Sequence, residues 1–460
     1  MTGPYNHEKS FILTNDPAKN SSSANAWFAV ASATHVGMRR RNNQDNHAVL
    51  LASDGHSWEK FGHMLVVADG MGAHAAGELA SQIAVEQIPL HYQKLFRGVP
   101  SEALELSLVE TNAEIYRRGQ ANPEFRSMGT TACALAIVPE GAIVAHVGDS
   151  RVYRLRGSHF EQLTFDHSLV WEMRAAGDIS EEAIRNSTIP KNVITRSLGP
   201  NPSVAVDIEG PFSLQTGDKF LLCSDGLSGQ LRDEEIGTLL MLLDIDTAVQ
   251  AMVDIANLRG GPDNITVVIG EVRSLEGIAN VQESKAPQRG SGLKQNQYPI
   301  GFAIAAAIGV LLAVVLLLLG QFPMALVSIV ASIVAFGSGW FKFRSMNTGS
   351  QSAASGHGKG PYRQYRCKAD AAFASNLDHV VQELKNWFKD NEWSPPPESI
   401  AQVIQKSKDA SSARNFASAI QLSVQAILEL MKLARDNQIK DEEKADEGTV
   451  DDDEDGVIDY

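Results

Sequence analysis

Apolar residues recur along the first half of the chain with two different periods. In ASQIAVEQIPLHYQKLF (80–96) and ALELSLVETNAEIYRRG (103–119) they return every three or four positions, which predicts helices with one buried face. In AIVAHVGDSRVYRL (142–155) and KFLLCSDGL (219–227) they form short β-rich runs closed by turn residues, which predicts strands. The two patterns alternate from Trp27 to Arg273, a span suited to one mixed α+β domain. Residues 1–26 are polar, carry no signal-peptide pattern and read as a disordered N-terminal tail.

The pattern changes after residue 273. Residues 274–297 are polar and rich in Gly, Ser and Gln, as a flexible linker is. No charged residue occurs from Gln295 to Phe341. At helical rise Pro299–Leu319 spans about 31 Å and Pro323–Phe341 about 28 Å, each enough to cross a bilayer core. The Gly320–Pro323 break makes residues 298–341 a two-helix transmembrane hairpin, so a lipid bilayer is an expected partner. Lys285, Arg289 and Lys294 precede it and Lys342 and Arg344 follow it, which puts both soluble parts on the cytoplasmic face of the plasma membrane. Neither apolar segment holds an ionisable residue, so the hairpin reads as an anchor and not a transport path. A flexible joint (342–360) leads to a small all-α region (361–440). There Phe373, Leu377, Val380, Val381, Leu384 and Phe388 mark one helix face, and Phe416, Ile420, Val424, Ile427 and Met431 a later one. Residues 441–460 form an acidic disordered tail.

Composition narrows the classes. A chain of 460 residues, 43% hydrophobic and 21% charged, is neither disordered as a whole nor fibrous. Its three cysteines are far apart and lack zinc-ligand spacing, which suits reduced thiols in a cytosolic setting. Of the net charge of −15, ten units belong to the tail, where eleven carboxylates face one lysine. No basic footprint exists elsewhere, so no nucleic-acid partner is expected.

Four Asp-centred turns carry the candidate chemistry. Asp69–Gly70 and Asp225–Gly226 end apolar strands, Asp149 sits between two strands, and Asp263 precedes another. Asp-Gly is a common hairpin turn. Four such turns from distant parts of one domain could also converge as hard oxygen ligands for Mg²⁺ or Mn²⁺. Upstream, GMRRRNNQDNHAVLL adds Asp45 and a basic cluster, either a solvated turn or a grip for phosphate.

Gly37-x-x-Arg-x-x-Asn-Gln-Asp45, VVADGMGAH, MGTT (Met128–Thr131), VGDSRVYRL, LTFDHSLV (Leu163–Val170), NVITRSLG (Asn192–Gly199), LLCSDGL and GGPDNITVV stand in one order. In this the chain resembles the type 2C metal-dependent protein phosphatases (the PPM family), in their bacterial form, over residues 27–273. The resemblance implies a four-layer αββα sandwich of two antiparallel sheets flanked by helices. It also implies a serine/threonine protein phosphatase with two Mn²⁺ or Mg²⁺ ions and a third, weaker one. Asp69 would bridge two metals, the Gly70 carbonyl would ligate one, and Asp225 and Asp263 would hold the other. Asp45 would order metal-bound water, Asp149 would serve the third metal with Asp225, and Arg40 would bind substrate phosphate. A metal-activated water would then attack phosphorus in line, with no phosphoenzyme.

The chain departs from its relatives at three points. Gln44 replaces a frequent Glu, Ala73 replaces a glycine, and Met71 stands where animal relatives have a histidine, leaving His74 or a metal-bound water to protonate the leaving group. Residues 166–195 match the family's flap beside the site, and His146 and His167 read as structural hydrogen-bonding groups. In the tail, Asp451, Asp453, Asp455 and Gly456 follow the start of a calcium loop, but the chain stops before its twelfth position, which favours a solvated tail. The expected function is a membrane-anchored phosphatase acting on phosphoserine and phosphothreonine proteins and opposing cytoplasmic protein kinases. A catalytically silent phosphoprotein-binding module is the alternative, and a phosphatase with one narrow regulatory target is a third reading.

Overall fold

The central strands are apolar at consecutive positions and so on both faces, which means that each sheet needs two covers. The computed structural model describes residues 27–72, 75–177, 193–275, 318–319 and 358–448, and supplies those covers. The expected N-terminal tail, residues 178–192 of the expected flap, the linker from residue 276, the hairpin 298–341 apart from its residues 318–319, Ala73, His74 and the calcium-like pattern lie outside the described residues.

One sheet joins β1 (Phe28–His35), β7 (Arg151–Arg156), β8 (His159–Gln162), β10 (Lys219–Cys223), β11 (Ile265–Val272) and β12 (Arg363–Arg366) in the order β1-β11-β10-β7-β8-β12. The other joins β2 (Asp45–Leu50), β3 (His63–Met71), β5 (Ala132–Val138), β6 (Gly141–Val147) and β9 (Asp207–Phe212) in the order β2-β3-β5-β6-β9, with β4 (Gly129–Thr130) paired to β3. Every pairing is antiparallel.

The pleat separates three cores. Leu65, Val67, Leu135, Val144, Phe220, Leu222 and Val268 point between the sheets. Val66, Ala68, Ala134 and Ala145 point the other way, onto α2 (Ala76–Leu95) and α3 (Pro100–Ala121), where the 3.6-residue pattern predicts helices. On the far side Tyr153, Leu221, Val267 and Ile269 meet α6 (Asp233–Leu242) and α7 (Ile245–Leu258). The short helices α1 (Gly55–Phe61), α4 (Leu169–Ala176) and α5 (Asp225–Ser228) complete this part of the chain. Helix, sheet, sheet and helix are the four layers that the resemblance implies.

Two features depart from the all-α C-terminal region expected for 361–440. Residues 363–366 are a strand: β12 pairs with β8 in the register Arg363↔Gln162 to Arg366↔His159, which satisfies an otherwise open sheet edge. The expected joint also ends inside the domain, since Gly360 N donates to Glu209 Oε2 (2.8 Å). The helices α8 (Ala371–Asp390), α9 (Glu398–Ser412) and α10 (Phe416–Gly448) then add a fifth layer over α6 and α7. Leu377, Val381, Ile420, Val424 and Ile427 share one core with Leu239, Met252 and Ile255. Gly237 leaves room for this approach, because a Cβ there would overlap Cys367 Sγ. The backbone of α10 continues into the expected acidic tail as far as Gly448. Phe416–Gln438 is long and apolar enough to cross a membrane, but its apolar face lies in this core, so it reads as a core helix.

Candidate active site

Two carboxylates directly opposite each other across a strand pair repel. The register of β2 and β3 nevertheless sets Asp45 against Asp69 at their ends. The structure brings Asp149, Asp225 and Asp263 to the same place. Asp69 feels the charges of Asp45, Asp225, Asp149 and Asp263, and it shares a hydrogen bond with Asp225. All five sequence-predicted acids therefore meet at one edge of the sandwich.

Backbone and hydroxyl groups hold this assembly from behind. Asp69 N donates to Thr131 Oγ1 (2.9 Å), Thr131 N donates to Asp69 O (2.8 Å), and Thr130 Oγ1 donates to the same carbonyl (2.9 Å). Ser224 Oγ donates to Asp45 Oδ2 (2.7 Å) and accepts from Thr266 N (3.0 Å). Asn264 Oδ1 accepts from Gln44 N (2.9 Å), while its Nδ2 donates to Val36 O and Asn42 O, which ties the arginine-bearing loop to Asp263. Gly226 packs so tightly here that a Cβ would overlap the Asn264 carbonyl. Gln44, at the first departure from the family pattern, donates from Nε2 to Gly72 O (3.4 Å). Arg39, Arg40 and Arg41 are all exposed, and Arg40 Nη2 donates to Asp263 Oδ2 (2.8 Å), so its guanidinium is at the cluster.

Crowding raises these acids. Burial, with the charges of Asp225 and Asp263, pushes Asp45 up to about 7 against the opposing Ser224 hydrogen bond. Burial and Asp225 push Asp149 up to about 7. Burial and Asp263 push Asp225 up to about 6, and burial with four neighbouring acids holds Asp69 well above the usual carboxylate range. Among the described residues, Asp45 Oδ1, Asp149 Oδ1 and Asp225 Oδ1 are buried and accept no hydrogen bond. Converging hard oxygens with unused lone pairs are a donor set that fits Mg²⁺ or Mn²⁺.

His146, His167 and Asp207 form a second close group that could be mistaken for a metal site. His167 Nδ1 accepts from Gly148 N (3.0 Å), so its Nε2 carries the proton and donates to Asp207 Oδ2 (3.0 Å). His146 Nε2 donates to Phe165 O (2.5 Å), and the two rings stack at 4.3 Å. The hydrogen bonds leave His167 no lone pair for a metal.

Several supporting residues were not singled out from the sequence. Ser224, Asn264 and Thr131 each adjoin a quoted acid or lie in a quoted motif, which was the available signal. Arg151, two residues after Asp149, donates from Nε and Nη2 to Asp166 Oδ2 (2.9 and 2.7 Å) and from Nη1 to Asp233 Oδ1 (3.3 Å). No local signal marks the Asp233 end of that chain of contacts.

Known proteins share this domain. A family model for protein phosphatase 2C matches residues 38–260. A putative protein phosphatase 2C-type of Streptococcus pyogenes is 38% identical over 250 residues, covering 52% of this chain and 96% of that protein. The serine/threonine phosphatase stp of Listeria monocytogenes is 35% identical over 244 residues, covering 52% and 93%. Among solved structures, the S. agalactiae serine/threonine phosphatase is 36% identical, covering 54% of this chain and 100% of that one, with a TM-score of 0.47. With 38% identity over nearly the whole of the S. pyogenes protein, this chain belongs to the protein phosphatase 2C family of serine/threonine phosphatases.

Proposed function

We propose that the chain hydrolyses phosphoserine and phosphothreonine in proteins by a metal-activated water, on the cytoplasmic side of a membrane that the hairpin 298–341 anchors it to, and so opposes protein kinases. The observation that carries the chemistry is the convergence of five carboxylates, three of which have an unused buried acceptor atom. Bound cations would offset the like charge that otherwise raises these acids. Asp69 and the Gly70 carbonyl would hold one ion, Asp225 and Asp263 another, and Asp149 with Asp225 a third. When bound, such ions lower the pKa of water and neutralise charge on phosphate.

The protein's own groups do the rest. Asp45, held at Oδ2 by Ser224 and with its buried Oδ1 accepting no hydrogen bond, would orient the attacking water. Arg40, now paired to Asp263, presents a fork that matches two phosphate oxygens. Met71 has no proton to give, so the leaving seryl or threonyl oxygen would take one from His74 or from a water at the site. Membrane attachment is supported by the charge-free run from Gln295 to Phe341 and its basic flanks.

The test uses the full chain and a phosphothreonine peptide, with Mn²⁺, with Mg²⁺ and with chelator, beside Asp225→Asn. Metal-dependent phosphate release lost in the variant supports the reading. A folded, metal-binding protein without turnover would favour a phosphoprotein-binding module instead.

A further inference from the structure

The segment after β8 runs past the carboxylate cluster and carries α4 with it. His167 N donates to Gly148 O (2.8 Å), one residue before Asp149, and Asp166 is gripped by Arg151. Ser168 bridges Ile194, and Thr195 N donates to His167 O (2.9 Å), so the chain leaves at α4 and returns at the same point. Helix α4 therefore stands at the rim of the site on its Asp149 side.

The C-terminal strand fastens that rim. The Arg363 guanidinium lies 4.1 Å from the centre of the Trp171 ring on α4. Tyr362 meets Phe165 edge-on at 5.5 Å, and Phe165 meets Trp171 at 5.3 Å. Tyr365 Oη donates to Asp233 Oδ2 (2.8 Å), the acid whose other oxygen takes Tyr153 Oη (2.7 Å) and Arg151. Strand β12 thus holds both Trp171 and the far end of the Arg151 contacts. It lies outside residues 38–260, so this brace belongs to the chain's own extension and not to the shared domain.

We infer that Arg363 is a positioning residue for protein substrates: stacked on Trp171, it sets α4 at the rim of the site, so the C-terminal segment helps to choose which phosphoproteins dock. This rests on the phosphatase reading. The brace touches the rim and none of the five acids, so it acts on the docking of a protein and not on bond cleavage.

The full chain with Mn²⁺ is assayed on phosphorylated casein and on p-nitrophenyl phosphate, as wild type, Arg363→Ala, Trp171→Leu, the double variant and Arg363→Lys. Loss of a partly desolvated cation–π contact should raise KM for casein about five-fold in each single alanine or leucine variant, with kcat retained. Small-substrate kcat/KM should stay within about two-fold of wild type. The double variant should be no worse than the worse single one, and Arg363→Lys, which keeps the charge over the ring but not the planar fork, should recover part of the loss. If Arg363→Ala fails to fold, Trp171→Leu, which leaves β12 paired, makes the same comparison. Equal losses on both substrates, no loss on either, or additive effects in the double variant would overturn the inference. A wild-type chain inert on both substrates would overturn the phosphatase reading, and the inference with it.

Discussion

Removing Arg435 tests whether the C-terminal helices are part of the phosphatase domain. Asp254, on α7, is 1% exposed, and its Oδ1 accepts from Gln250 Nε2 (3.0 Å) and Arg435 Nη1 (3.3 Å) of α10. Burial pushes this carboxyl up, and the Arg435 guanidinium opposes the rise. Arg435→Ala leaves the acid with one neutral donor. A buried charge stripped of its partner costs about 3–5 kcal/mol. At pH 7, however, a carboxyl that ordinarily ionises near 4 can escape by binding a proton for about 4 kcal/mol. Arg435 is 28% exposed, and wild type already bears part of the burial cost, so the expected loss is about 2 kcal/mol, or about 4 °C in Tm. The folded-state carboxyl lies above its unfolded value, so the deficit is present at pH 7 and fades as pH falls toward the ordinary value near 4. The assay is thermal melting of the full chain at pH 7 and pH 5, for wild type, Arg435→Ala and Asp254→Asn/Arg435→Ala. The double variant should regain most of the loss at pH 7. A loss as large at pH 5 as at pH 7, or none at pH 7, would refute the reasoning.

Further outcomes follow from the same contacts. Residues 27–275 expressed alone should melt about 5 °C or more below the full chain and self-associate on gel filtration, because Met252 and its neighbours lose their cover. Gly226→Ala should abolish phosphate release and lower Tm, since the new methyl would enter the Asn264 carbonyl. Metal-free protein should lose stability as pH rises from about 4 to 7, where folded Asp45, Asp149 and Asp225 hold protons that the unfolded chain has released. The gain in Tm on adding Mn²⁺ should therefore be larger at pH 7 than at pH 5, as differential scanning fluorimetry would read.

Much of the architecture is written locally. The unbroken apolar runs in KFLLC and AIVAHV report two-sided burial, and Asp-Gly at strand ends marks where carboxylates emerge. What those motifs do not carry is their partners. Ser224 and Asp45 are far apart in sequence and meet only because β2 and β10 end at the same edge. Strand β12 was missed because Arg-Gln-Tyr-Arg has no apolar alternation; its conformation comes from the open edge of β8, not from its own composition. One signal was present and unread. Helix α7 carries an apolar arc of about 220°, from Leu258 and Ala251 through Ile255, Ala248, Met252 and Ile245 to Val249 and Val253, about twice the stripe that one contact face needs. Its second cover is the helical region expected to stand apart.

The central claim is that the five acids hold divalent metal that hydrolyses phosphate esters. Phosphate release from a phosphothreonine peptide by the full chain, with Mn²⁺ and with chelator, beside Asp69→Asn, tests it most directly. The expected result is turnover that chelator abolishes and that Asp69→Asn reduces by about a hundred-fold or more while the fold is kept. Turnover that survives both chelator and the substitution would contradict it.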